Sequence, residues 1–243
     1  MLTLTRSLAT AMSLTLGGVT VGISGNYALA DIVPDGTLGA EGSVVIPNTT
    51  VRGEIGDVIE GGATRGANLF HSFQEFNVGE LQRVYFANPS GIDNILTRVT
   101  GGNLSNILGT LGVDGSANLF LLNPNGIVFG SQARLDVAGS FFASTANSLV
   151  FGDGQEFSAT SPQAPPLLTI NITPGLQYGQ DDPRTTITNA GNLAVGQDLT
   201  LAAGNLDLQG QLEAGRNVTL LAEDTVTISD SVAQPFVANA GDL

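Results

Sequence analysis

Cysteine, lysine and tryptophan are absent from this 243-residue chain, and histidine occurs once. Without cysteine there is no disulfide framework, no thiolate nucleophile and no sulfur ligand for a metal. The absence suits a chain that must pass a narrow pore unfolded, and equally a chain whose large hydrophobic core needs no cross-links. The single histidine, His71, excludes any site built on two imidazoles and leaves Ser–His catalysis dependent on one residue. It alternates with aromatics in Phe70-His71-Ser72-Phe73, which reads as a hydrogen-bonded strand histidine rather than a general base. Positive charge is scarce too: eight arginines stand against 22 acidic residues, a formal net charge of −14. Such a surface repels phosphate backbones and anionic headgroups, so nucleic-acid binding and membrane insertion are not expected. There is no Gly-x-Ser-x-Gly elbow and no phosphate-cradling loop ending in lysine. The doublets Asp181-Asp182 and Glu223-Asp224 put neighbouring carboxylates on opposite faces of a strand, which does not make the convergent pair of glycoside hydrolysis. No metal, cofactor or catalytic residue is expected.

The one extended apolar stretch runs from Leu8 to Ile23, after Arg6, and leads to Ala28-Leu29-Ala30. Small residues at the −3 and −1 positions mark residues 1–30 as a signal peptide, with the mature chain starting at Asp31. Gly17, Gly18, Gly22 and Gly25 dilute the stretch and no basic stop-transfer flank follows, which argues against a membrane anchor.

What the mature part does contain is glycine, turn residues and short apolar alternations. Helical periodicity is not sustained over more than about ten residues, so short strands are the default. Gly191-Asn192-Leu193-Ala194-Val195-Gly196-Gln197-Asp198-Leu199-Thr200-Leu201 lies over Gly210-Gln211-Leu212-Glu213-Ala214-Gly215-Arg216-Asn217-Val218-Thr219-Leu220 at an offset of 19. The following pairs, Leu206/Leu208 and Val226/Ile228, align at an offset of 20. The extra residue belongs at a corner, because inside a strand it would turn every side chain to the wrong face. Stacked, these segments pair Leu193 with Leu212, Leu199 with Val218, Leu201 with Leu220, Leu206 with Val226 and Leu208 with Ile228, leaving Thr200, Asp207, Thr219 and Thr227 outward. A rung of this length is one turn of a parallel β-helix, whose repeats bury a core only by stacking. Leu135 to Ala146 echoes the same unit loosely.

Asn118-Leu119-Phe120-Leu121-Leu122-Asn123-Pro124-Asn125-Gly126-Ile127-Val128-Phe129-Gly130 reads as strand, corner, strand, with Pro124 at the first central position of a type I turn and Gly126 at its exit. Together with Arg65 to Val78 and Val84 to Ile92 upstream, it resembles the two-partner-secretion domain of filamentous haemagglutinin-type exoproteins, the haemagglutination activity domain family. The resemblance implies an all-β fold, a right-handed parallel β-helix with an N-terminal β cap. It implies recognition by the periplasmic modules of an outer-membrane β-barrel transporter, folding at the cell surface, and adhesion to carbohydrate or protein on host or neighbouring cells for many full-length members. It also links Asn-Pro turns to transporter recognition and folding. The matching positions are Asn88, Pro89 and Gly91 in Asn88-Pro89-Ser90-Gly91-Ile92, and Asn123, Pro124, Asn125, Gly126 and Ile127, where some members carry Asn-Pro-Asn-Leu. Both segments read as one repeated turn chemistry, which also has a purely structural explanation.

The expected organisation is a signal peptide (1–30), a secretion domain (31–157), a Pro-rich excursion (158–186) in which Leu167 to Ile172 returns as a short strand, and β-helix rungs (187–243). A linker between two domains is the alternative to the excursion. The final Asn239-Ala240-Gly241-Asp242-Leu243 echoes Asn189-Ala190-Gly191-Asn192-Leu193, as if the chain were a truncated piece of a longer exoprotein. A carbohydrate-active β-helix enzyme is the competing functional reading; the lack of lysine and the few arginines weigh against it.

Overall fold

The computed structural model describes residues 31–165, 175–177, 185–230 and 235–241. The expected signal peptide, the strand expected from Leu167 to Ile172 and the Asp181-Asp182 doublet lie outside them. The described chain winds as a parallel β-helix with three faces. The first face stacks Glu54–Gly61, Arg83–Ala87, Thr110–Asp114, Arg134–Asp136, Asn192–Val195, Gln211–Ala214 and Val237–Ala240. The second stacks Asn68–Phe76, Asn94–Val99, Asn118–Leu122 and Phe141–Ser144, then the leading halves of Leu199–Leu208 and Val218–Ile228. The third stacks Ser105–Ile107, Ile127–Phe129 and Thr186–Asn189, then the trailing halves of the same two long strands. Those two strands turn a corner without breaking, which joins the second and third faces into one 11-stranded sheet.

The repeat register is the one read from the sequence. Leu193 pairs with Leu212, Leu199 with Val218, Leu201 with Leu220, Leu206 with Val226 and Leu208 with Ile228. The extra residue falls between Ala203↔Ala222 and Asn205↔Thr225, where Glu223 and Asp224 oppose Gly204 as a bulge at the corner. The loose echo is also a rung, since Phe141 pairs with Leu199 and Ala143 with Leu201. Glycines make the later corners tight: a Cβ at Gly210 would run into the carbonyl of Gly191, and one at Gly215 into that of Gly196. Rungs shorten along the coil, from 26 residues between Asn68 and Asn94 to 19 between Leu199 and Val218.

An antiparallel cap closes the N-terminal end. Ile32–Pro34 and Ala63–Arg65 run antiparallel to Asn68–Phe76, and Ser43–Val51 forms a hairpin with Glu54–Gly61. The hairpin turn is anchored to the outside of the coil. Arg52 Nη1 donates to Asp136 Oδ1 (2.8 Å) and the Tyr85 hydroxyl donates to Asp136 Oδ2 (2.8 Å). Tyr85 fits there because Gly112 stacks above it: a Cβ at Gly112 would sit 2.5 Å from the ring.

The coil is not interrupted by a linker, because strands on both sides of the Pro-rich segment lie in the same sheets. The departure starts earlier than the prolines do. The chain leaves after Ser144, pairs Ser148–Val150 with Glu156–Ser158 and with Gly175–Gln177 in a small antiparallel sheet, and rejoins the third face at Thr186. A short apolar run such as Leu149 to Phe151 looks the same in a hairpin as in a rung, so pattern alone does not separate them.

Two cores result. The interior core contains Ile59, Leu69, Phe73, Ile95, Leu119, Leu121, Phe141, Leu199, Leu201 and Leu206, all closed to solvent. A second core lies outside the second face: Phe70, Leu96 and Leu122 pack with Leu38 of the cap and Leu149, Phe151 and Phe157 of the excursion. The early strands of this face are therefore buried on both sides, which explains continuous apolar runs such as Asn118-Leu119-Phe120-Leu121-Leu122 where one dry face would have produced alternation.

Candidate functional site

The two Asn-Pro segments sit at different corners and turn differently. Asn123 to Gly126 joins the second face to the third. Gly126 N donates to the Asn123 carbonyl (3.2 Å), Asn125 N donates to Asn123 Oδ1 (2.9 Å), and Gly126 exits at φ +120°. Asn88 to Gly91 joins the first face to the second. Here the turn closes one residue later, with Ile92 N on the Pro89 carbonyl (3.2 Å) and Gly91 at φ +84°. One repeated turn chemistry was the expectation; the backbone differs because glycine takes the positive-φ third position of the Pro89 turn and the exit of the Asn123 turn.

What the segments share is the job of the leading asparagine, which joins rungs. Asn88 Oδ1 accepts from Ser116 N (3.0 Å) and Ala117 N (3.1 Å) of the next rung. Asn123, fully buried, donates through Nδ2 to Ser105 Oγ (2.9 Å) and to the Asn103 carbonyl (3.1 Å) of the preceding rung. Gly126 and Ile127 are buried as well, whereas Pro89, Gly91 and Asn125 are exposed and Pro124 half-buried. Pro124 and Asn125 form one wall of a groove of about 260 Å³ whose other wall is Ala159, Thr160 and Pro162 of the excursion.

Two polar features were not read from the sequence. The first is a ladder along the corner between first and second faces. Asn94 Nδ2 donates to Asn68 Oδ1 (3.0 Å), Asn118 Nδ2 to Asn94 Oδ1 (2.9 Å), and Ser140 N to Asn118 Oδ1 (2.8 Å). It continues as Asp198 N on Ser140 Oγ (3.2 Å) and Asn217 Nδ2 on Asp198 Oδ1 (2.8 Å). A signal existed: Asn-Leu-Phe, Asn-Ile-Leu and Asn-Leu-Phe open three successive strands at Asn68, Asn94 and Asn118. The second is Arg98, a guanidinium with no exposed surface set in the apolar strand Asn94–Val99. Its four hydrogen bonds reach Ser72, Thr37 and the carbonyls of Ser158 and Gln163. Burial pushes its pKa down to about 10, a fall opposed by the charge of Asp35.

His71 points into the coil beneath the cap. Its Nδ1 lies 3.0 Å from Ser43 Oγ and its ring is stacked near Phe73 and tilted against Phe86. Burial pushes its pKa down to about 3, so the ring is neutral. This is the hydrogen-bonded strand histidine that the aromatic alternation predicts. Among the described residues no group of three His, Asp or Glu side chains is placed to hold a metal ion.

The two polar features thus lie at rung-to-rung joints and at the seam between coil, cap and excursion. A sequence model of the TPS secretion domain, the two-partner-secretion domain, matches residues 30–240, nearly all of this coil. The chain belongs to that family. The family is a secretion domain of haemagglutinin-like exported proteins and not a known enzyme family. A heme/hemopexin-binding protein of Haemophilus influenzae is 26% identical over 182 residues, covering 70% of this chain and 19% of that protein. A second protein of that name from Haemophilus influenzae is 36% identical over 67 residues, covering 28% of this chain and 7% of its own length. The chain therefore spans less than a fifth of the curated relatives it matches. Among solved structures, the secretion domain of HMW1 from Haemophilus influenzae aligns with a TM-score of 0.51 at 23% identity, over 75% of this chain and 44% of that one. That likeness bears on the fold: an all-β, right-handed parallel β-helix behind an N-terminal β cap.

Proposed function

We propose that this chain is the N-terminal secretion module of a larger adhesin- or haemagglutinin-like exoprotein. In this reading the periplasmic modules of an outer-membrane β-barrel transporter recognise the unfolded mature chain, and the coil folds rung by rung at the cell surface. The observation that carries the reading is the family match over residues 30–240, coincident with one continuous coil. Supporting it are the absence of cysteine and a fold in which each new rung stacks on the rung before it. Each rung buries apolar area worth about 25 cal/mol per Å², offset by chain entropy, so folding biases transit without nucleotide hydrolysis.

Within the motif the roles divide by exposure. Asn88, Asn123, Gly126 and Ile127 serve folding, while Pro89, Gly91, Pro124 and Asn125 form the part available to a partner. The reading carries no catalytic step. It does not extend to a His-ligated heme, since the one histidine is neutral and enclosed. The target on a host or neighbouring cell, carbohydrate or protein, belongs to the full-length protein.

The direct test is secretion with and without the cognate transporter. The mature chain, beginning at Asp31, is expected in the medium only when the transporter is present, and equal release without it would overturn the reading. A second arm uses Thr200→Cys with Thr219→Cys, outward positions paired on adjacent rungs. Their parallel strands are about 4.8 Å apart, within disulfide reach. Export should stall under oxidising conditions and recover with reductant. Undiminished export with the bond formed in the periplasm would rule out threading of an extended chain.

A further inference from the structure

Arg98 joins three segments that are distant in sequence. Its Nε donates to Ser72 Oγ of the first full rung (2.9 Å), and Nη2 donates to Thr37 Oγ1 of the cap (2.8 Å). Nη1 donates to the Ser158 carbonyl (2.9 Å) and Nη2 also to the Gln163 carbonyl (2.9 Å), both in the excursion. The guanidinium lies over the Phe157 ring, 4.3 Å from its centroid. No carboxylate among the described residues forms an ion pair with it. Its charge is balanced at one remove by Asp35, whose carboxylate accepts from Thr37 Oγ1 (2.6 Å), Ser72 Oγ (2.7 Å) and Thr100 Oγ1 (2.6 Å). The same hydroxyls that receive the arginine therefore lean on the carboxylate.

We propose that Arg98 is a latch that makes docking of the excursion conditional on a folded N-terminal cap. With the cap in place, Thr37 and Ser72 hold two of the guanidinium donors, Asp35 offsets the charge, and the remaining donors face the place where the Ser158 and Gln163 carbonyls arrive. Without the cap, laying Phe157 and Leu149 over this site buries an uncompensated cation, which costs more than the apolar contacts return. Arg98 precedes its excursion partners by 60 and 65 residues, so in a chain emerging N-terminus first the latch is set before the segment that it receives. This deepens the secretion reading and rests on it only for the direction of emergence; the coupling itself belongs to the folded chain.

The test is amide hydrogen exchange on the purified, folded mature chain, with no transporter involved. Asp35→Asn should raise exchange in Ser148–Val150 and Glu156–Ser158 at least about tenfold while leaving Leu199–Ala203 protected. In an Arg98→Met background, which removes the cation but keeps apolar contact with Phe157, the same Asp35→Asn change should alter excursion exchange less than about twofold. Should Arg98→Met fail to fold, Arg98→Lys replaces it: the excursion should loosen, because ammonium lacks the planar fork, and remain sensitive to Asp35. Unchanged excursion exchange in Asp35→Asn, an equal effect in both backgrounds, or uniform loss of protection along the whole coil would each overturn the latch.

Discussion

The early and late rungs solve the same packing problem differently. On the second face, the outward column runs Phe70, Leu96, Phe120, Phe142 and then Thr200, Thr219. The first four lie under or beside the excursion and cap, whereas the two threonines point outward and are half-exposed. The inward column runs His71, Thr97, Leu121, Ala143, Leu201 and Leu220, polar under the cap and apolar further along. Early rungs are thus held by two cores and by polar joints that specify position. Late rungs are held by one core, by repetition and by the end of the polar ladder at Asp198 and Asn217. A coil that only repeats can slip by a rung; asparagine ladders, His71 and the Arg98 network give the first rungs a fixed start.

The sharpest way to break the late-rung side of this contrast is a pair of adjacent substitutions. Leu201→Asp puts a carboxylate into the closed column and should cost several kcal/mol or unfold the later rungs, while Thr200→Asp, pointing outward and half-exposed, should cost under about 1 kcal/mol. Equal urea midpoints would refute the register. Next in size is the outer core: Phe157→Ala should lower stability by about 3–5 kcal/mol, as expected for a fully buried aromatic, and a loss under 1 kcal/mol in denaturant melts would show the excursion to be an ornament.

Acid should act mainly at the capped end. His71 has a folded pKa of about 3, below its unfolded value near 6.5, so the unfolded chain binds the extra proton. Stability from this residue is complete above about pH 6.5 and is lost progressively as pH falls toward about 3, by several kcal/mol in all. Asp35, held below the usual carboxylate range by its hydroxyl donors against the opposing effect of burial, adds a further loss at lower pH. Chemical denaturation between pH 7 and 4 checks this, with His71→Gln predicted to flatten the slope. The smallest contrast lies within one column. Leu208→Ala should cost about 2–5 kcal/mol, but its partner on the next rung, Ile228, is 51% exposed, so Ile228→Ala should cost under about 1 kcal/mol.

Much of the late coil was legible because a stacked repeat writes its register directly into residue spacing. Leu193 over Leu212 and the extra residue near Gly204 follow from the side-chain period of two and from the tolerance of corners for insertions. The Asn-Pro turns were legible as corners but not as different turns, since hydrogen-bond closure depends on where glycine takes a positive φ. The start of the excursion was not legible, because Ser148–Val150 is a short apolar-rich strand of a kind that also builds a rung.

By itself, then, the sequence determined strands rather than helices, the 19- to 20-residue stacking of the last rungs, the hydrogen-bonded strand role of the lone histidine and the resemblance that the family match bears out. These are local or periodic properties, carried by spacing and side-chain type. Only the tertiary structure decided that the early strands are buried on both faces, that Asn88 and Asn123 join rungs at separate corners, and that Arg98 meets Thr37, Ser158 and Gln163 in one closed site. Each of those depends on which segments the coil brings side by side over tens of residues, and residue type alone carries no such distance.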